Sequence, residues 1–254
     1  MAIHFLLLRK WGGALLAGLL LLAAGALAAS KTIPVYTYYD SPPFVTGEHS
    51  GLHSELVAYL NSQANGRYHF KAEAMPRKRL DLLILGDNWP GVVAWAYPPF
   101  FQDQQRQRFL WSSPYLTDHD YLISLRSKPV DYRDANSLTG KRFGAVRGHR
   151  YPQLDELIDN GQIIRDDGKD EESNVNKLYF GRVDATLVIG SALNYYRHRY
   201  SWFGNTVFVA TTPVSTFSRH FFVAPGNQAL MRFLESVIQG MPNDPAWQQM
   251  VHGW

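Results

Sequence analysis

The chain contains no cysteine among its 254 residues. That absence excludes disulfides, thiolate metal sites and a lipid carried on an N-terminal cysteine. A small secreted module without a core would need such staples, so this chain must rely on buried apolar packing. Beyond its first 28 residues it has no apolar stretch of membrane length. It has no polybasic block of the kind that binds nucleic acid or a lipid surface. It also lacks a G-x-S-x-G elbow, a P-loop and a dinucleotide-binding glycine triplet, so no nucleotide or hydrolase motif is present. His49 and His53 stand four apart, a spacing that two metal ligands can use. No third ligand accompanies them, and no cofactor or metal is expected.

What is present is ordinary globular material, 46% hydrophobic and 19% charged. The length suits one large domain or two lobes of roughly 100 residues, each able to bury a core. The first segment reads as an export signal. Arg9 and Lys10 form a basic start, residues 11–28 run without a charge, and Ala26-Leu27-Ala28 gives an A-x-A cleavage pattern. Cleavage after Ala28 places the mature protein in the periplasm. Removing Arg9 and Lys10 from 25 basic residues leaves 23 against 22 acidic, so the mature chain is close to neutral.

Strand and helix patterns then alternate. Residues 32–38 (TIPVYTY) are β-branched and aromatic. Residues 51–65 carry Leu52, Leu56, Val57, Tyr59 and Leu60 on one helical face and stop at Asn65-Gly66. Residues 68–74 alternate as a strand. Pro76 opens a short helix with Leu80, Leu83 and Leu85 inward. Residues 91–97 and 120–126 read as further strands. A second cycle follows Gly140: strands at 142–147, 162–165, 183–189, 206–210 and 217–223, with helices at 151–160, 173–180 and 191–200. Helices at 228–239 and 245–251 close the chain. Repeated β-α-β units imply parallel sheets. Two such cycles imply two α/β lobes, with a ligand site in the cleft beyond the strand ends.

Several segments in this order resemble solute-binding protein family 3, the periplasmic amino-acid-type binding proteins of ABC transporters. Tyr39-Asp40-Ser41-Pro42-Pro43-Phe44 looks like the family's loop after the first strand. Gly51, Leu52, Glu55 and Leu56 look like its first helix. Residues 109–115 (FLWSSPY) resemble its "FSxPY" segment. Residues 138–144 (LTGKRFG) with Gly148, and residues 181–185 (GRVDA), resemble its second-lobe signatures. The resemblance covers nearly all of the mature chain. It implies the type II periplasmic-binding-protein fold, with lobe 1 at 31–125 plus 219–254 and lobe 2 at 126–218. Strands 120–126 and 217–223 would then form the hinge. It also implies a likeness in function: capture of a small polar, amino-acid-like solute and delivery to an inner-membrane ABC permease, as a monomer and without catalysis. An enzyme on the same scaffold, with His149 as a general base, and a sensory module are the alternatives.

The ligand positions depart from the family. Gln105 stands where the family places its carboxylate-binding Arg, with Arg106 one residue on. Ile189 stands where it places its ammonium-binding acid, followed by Gly190 and Ser191. His149 replaces its small hydroxyl residue.

From the residues themselves, Tyr39, Phe44, Trp95, Tyr97 and Tyr115 offer rings to stack on a solute. Arg77 opens a helix and can grip an anion. Arg147-Gly148-His149-Arg150 lead into the helix expected from Tyr151, whose free amides favour negative charge. Read this way, an anionic or ring-bearing solute is expected. Asp184 is read as structural.

Overall fold

The computed structural model describes residues 32–253. The export signal lies outside the described residues. No helix among them is long and apolar enough to cross a membrane.

The first sheet region starts with β1 (Thr32–Thr37), which pairs in parallel with β2 (His69–Ala74) on one side and β3 (Val92–Ala96) on the other. Parallel neighbours require crossovers. The helix α1 (Leu52–Ala64) supplies the first and α2 (Arg77–Leu83) the second. α1 buries Leu52, Leu56, Val57, Tyr59 and Leu60, the face its periodicity marks out, and ends at Asn65 with φ 48°. Asn is one of the few residues besides Gly that takes this left-handed conformation readily.

The second region repeats the device. β6 (Arg142–Val146) lies parallel between β7 (Ile164–Gly168) and β8 (Ala185–Ile189), with α3 (Asp155–Asp159) and α4 (Glu171–Tyr179) in the crossovers. α4 starts at a capping box, in which Asp170 and Ser173 each satisfy the other's backbone N–H.

Two long antiparallel strands join the regions: β5 (Leu116–Leu125) and β10 (Ser215–Val223), paired from Ser215↔Asp120 to Arg219↔Leu116. β10 then continues against β3 and against the short β4 (Leu110–Trp111), while β5 continues against β8 and β9 (Val207–Val209). The main strand order is therefore β2-β1-β3-β10-β5-β8-β6-β7, with the crossing strands in the middle. The remaining helices are α5 (Leu193–Arg199), α6 (Phe203–Thr206), α7 (Gln228–Gly240) and α8 (Pro245–Gly253). A core of α1, α7, α8 and the first sheet shares one apolar cluster with the crossing strands. A second cluster surrounds Phe143 and Leu154, and a third surrounds Trp89, Phe109 and Phe222.

Three expectations change. The crossing strand expected at 120–126 begins at Leu116. The helix expected at 151–160 shrinks to Asp155–Asp159. Tyr151 belongs instead to a turn: its N–H donates to Asp155 Oδ1 at 3.0 Å and its hydroxyl accepts from Val146 N–H at 2.8 Å. Leu85 is 67% exposed, because α2 stops at Leu83 and the inward position one turn after Leu80 falls to Ile84.

Candidate functional site

The crossing strands carry charge into the middle of the molecule. In the β5–β10 ladder Asp118 faces Phe217, so Asp118, Asp120, Ser215, Phe217 and Arg219 share one face. Arg219 is fully buried. Its Nη2 donates to Asp118 Oδ2 at 3.0 Å, and Nε donates to the same oxygen at 3.3 Å. Nη1 donates to the Tyr39 hydroxyl at 2.6 Å and to the Trp95 carbonyl at 2.9 Å. The guanidinium also lies over the rings of Phe217, Tyr39 and Phe44, at 4.6, 4.9 and 5.5 Å. A cation this deep is tolerated because a counter-charge, two oxygens and three π-faces replace its water.

Asp118 anchors the far side as well. Its carboxylate accepts from Ser191 N–H at 3.1 Å and Ser191 Oγ at 3.0 Å. Two residues further along, on the same face, Asp120 accepts from Ser215 Oγ and pairs with Ile189 at the end of β8. Ile189 N–H in turn donates to Glu171 Oε2 at 3.1 Å. Glu171, the first residue of α4, thus brings an acid to the strand end that has none of its own. Its stem keeps some surface, but Oε1 is shut off from water and faces the Tyr196 hydroxyl outside ordinary hydrogen-bond geometry. Burial pushes the Glu171 carboxyl up to about 8, helped by Asp120 and Asp118 and opposed by the bond from Ile189 N–H. Burial also raises Asp120, opposed by Ser215 and Arg219. Three carboxyl groups therefore gather at the strand crossing, of which Asp118 alone is paired with the buried guanidinium.

Trp95 seals the inner wall. It is fully buried and has φ 60°, a region that a bulky residue adopts only under constraint. Its N–H donates to the Tyr115 hydroxyl at 2.7 Å, and its carbonyl accepts from Arg219 and from the Tyr38 hydroxyl. Its indole N–H donates to His53 Nδ1 at 3.1 Å, and His53 Nε2 donates to the Val35 carbonyl at 2.9 Å. Both ring nitrogens of His53 are thus engaged, and burial pushes its pKa down to about 4. This removes His53 as a metal ligand, and no group of three candidate ligands occurs among the described residues. Trp95→Phe would strip His53 Nδ1 of its donor. It is expected to cost about 1–3 kcal/mol beyond the packing change, measured by urea unfolding.

The ring residues read from the sequence converge here. Tyr39 stacks on Phe44 at 4.3 Å, Phe44 meets Trp95 edge-on, and Trp95 meets Tyr115. Tyr97 packs on Phe217 at 5.7 Å. Ser191 arrives through Asp118.

The arginines do not converge. Arg77 is paired with Asp81 at 2.7 Å, bonded to the Phe100 carbonyl and set over the Phe101 ring. Arg106, exposed and at φ 54°, donates to His220 Nε2 at 3.3 Å. Arg150 is taken up by Asp155 and Asp159, at 2.9 and 3.5 Å. With the helix starting only at Asp155, the free amides expected at Tyr151 do not face this loop. Arg147 and His149 are exposed, and Gly148, at φ 80°, has open space where a Cβ would sit. Although the residue as a whole is exposed, partial desolvation of the His149 ring lowers its pKa, with Arg165 acting in the same sense and Asp40, on the loop after β1, against it. Two open surface grooves of about 400 and 470 Å³ lie elsewhere, the first at residues 129–141 and the second against β1, β2 and α2.

No protein-family model matches the chain, and no curated protein does. Solved structures do match. A probable amino-acid ABC transporter extracellular-binding protein from Bacillus subtilis is 21% identical, with a TM-score of 0.69 over 89% of this chain and 97% of that one. An ancestral arginine-binding protein bound to arginine is 18% identical, TM-score 0.66, over 88% and 97%. A putative L-cystine ABC transporter protein from Listeria monocytogenes is 20% identical, TM-score 0.64, over 88% and 95%. At these identities the likeness establishes the fold: two α/β lobes joined by crossing strands, the type II periplasmic-binding-protein architecture.

Proposed function

We propose that this protein is the exported solute-binding component of an ABC transporter and takes a small amino-acid-like solute between its lobes by hinge closure, without turning it over. The reading places lobe 1 at 31–125 plus 219–254 and lobe 2 at 126–218, in a monomer that serves an inner-membrane permease. Support for the class comes from the fold, from neighbours that are themselves named as binding proteins, and from the export signal in the sequence. One observation carries the choice of solute: Asp118, Asp120 and Glu171 outnumber Arg219 at the strand crossing, beside the Tyr39 and Tyr97 rings. A buried excess of carboxyl groups selects a cationic group, so the solute enters with its ammonium toward Glu171 and Asp120. Tyr39 and Tyr97 cover its apolar part. Arg147 and the open Gly148 remain for a carboxylate. The anionic solute expected from the arginines gives way to a zwitterion or a cation.

Closure over an ammonium ionises Glu171, whose carboxyl is protonated below about pH 8 in the free protein. Affinity is therefore expected to rise about tenfold per pH unit up to that value and then level off, with about one proton released on binding. The experiment is a thermal-shift panel of amino acids, amines and organic acids. Calorimetry of any hit then follows, at several pH values and in buffers of different ionisation enthalpy. Glu171→Gln should weaken binding and flatten the pH profile. A panel in which only anions stabilise the protein, or binding with no proton exchange, would overturn the assignment.

A further inference from the structure

The C-terminal ends of α4 and α5 meet in an exposed aromatic strip edged with arginine. Phe180 is 67% exposed and Tyr179 40%. Their ring centroids are 5.2 Å apart, and Tyr179 stacks on Trp202 at 4.1 Å and 22°. Arg182 lies over the Phe180 ring at 5.7 Å. Arg199 lies over the ring of Tyr200, which itself stacks on Trp202. Arg126 joins from the end of β5, donating to the Gly204 carbonyl at 3.4 Å. All three arginines are exposed, and among the described residues none of them forms an ion pair.

We infer that this strip is a contact face for an anionic phospholipid surface, with Phe180 and Tyr179 entering the headgroup layer and Arg126, Arg182 and Arg199 lying against the phosphates. The mature chain is near neutral overall, 23 basic residues against 22 acidic, so the three arginines here are a local excess; the neighbouring acid, Glu172, is taken up by the Tyr200 hydroxyl at 2.7 Å. Aromatic rings at water level with flanking cations are the composition that settles at a membrane interface. Charge alone would also suit an acidic protein. The Arg182 and Arg199 guanidiniums, however, lie 5.7 and 5.5 Å from ring centroids and Arg126 meets a carbonyl, so none of the three is committed to a particular carboxylate. Spread in this way, their charge complements a diffuse anionic surface better than a few fixed acids. Arg126 follows β5 eight residues beyond Asp118, and none of the strip residues bonds to Asp118, Asp120, Glu171 or Arg219, so the inference stands apart from the solute reading.

The test uses the mature protein with vesicles of phosphatidylcholine alone and of phosphatidylcholine with phosphatidylglycerol, read by co-sedimentation at low and high salt. Binding is expected only to the anionic vesicles and is expected to weaken with salt. Arg182→Glu combined with Arg199→Glu should lower it by about tenfold or more, and Phe180→Ser by several-fold. Thermal midpoints of the variants, at positions this exposed, should match the parent and so exclude misfolding. Equal binding to both vesicle types, or none at low salt, overturns the inference. So does a concentration-dependent dimer that Phe180→Ser abolishes while vesicle binding is absent, since the strip would then serve self-association.

Discussion

Asp118→Ala is expected to destabilise the protein by about 3–5 kcal/mol, the largest single-residue effect at the strand crossing. Arg219 has no surface at all, and Asp118 keeps only 3%. Removing the carboxylate leaves a guanidinium that cannot shed its proton and cannot reach water. Two of its four hydrogen bonds, those from Nε and Nη2, vanish together. The Ser191 N–H and hydroxyl lose their acceptor at the same time. Each of those deletions carries its own desolvation cost. The measurement is equilibrium urea unfolding of the parent, Asp118→Ala, Arg219→Met and the double variant. If the pair acts as a buried ion pair, the double variant is more stable than Asp118→Ala, because no charge is then stranded. A loss below about 1 kcal/mol for Asp118→Ala, the range of an exposed pair, would mean that water reaches the crossing and that the acid excess there is solvated.

The same pair shows what the sequence makes legible and what it conceals. The long apolar faces read correctly: α1 from its spacing and its Asn65 stop, and β3 from an unbroken apolar run. Asp118 lay just outside the expected strand, whose reading began at Asp120. Acids at 118 and 120 share one face of a strand, and that period-two pattern was the available signal. Arg219 sits between Ser218 and His220 in a strand that is otherwise aromatic and aliphatic from Phe217 to Val223, and a cation in so buried a strand implies a buried counter-charge. Glu171 lies just before the helix expected at 173–180, which in the structure begins at Glu171 itself. Asp170 with Ser173 is a capping pair, and it would have moved the start back and placed Glu171 at the helix N-terminus. The arginines raise a different point. Whether Arg77 or Arg150 is available depends on Asp81, Asp155 and Asp159, and a chain without coordinates does not say which acid captures which cation. Tyr39, Phe44, Trp95 and Tyr115 lie in one cluster, and their first partners are Arg219 and one another.

The second large effect concerns pH. Glu171 has its carboxyl pushed from 4.5 up to about 8 in the folded protein. Between those values the native state holds a proton that the unfolded chain has released. Stability therefore falls as pH rises through this window and is flat above it. At about 1.4 kcal/mol per unit, the total loss is on the order of several kcal/mol. Asp120, raised by burial, adds to the same slope. His53 works in the opposite sense. Its pKa is lowered from 6.5 to about 4, so the native state resists a proton that the unfolded chain accepts, and stability falls as pH drops below 6.5. The two slopes oppose each other below pH 6.5, and only the carboxyl slope remains between 6.5 and 8. Glu171→Gln keeps an oxygen for Ile189 N–H and carries no charge, so it should remove most of that upper slope and leave the variant the more stable form at pH 8 by several kcal/mol. At pH 5, where the native carboxyl is protonated anyway, the two proteins should differ by little. Urea unfolding at half-unit steps from pH 5 to 9 measures the difference directly. Parallel curves for parent and variant would mean that Glu171 is ionised in the free protein, and a cationic solute would then bind without releasing a proton.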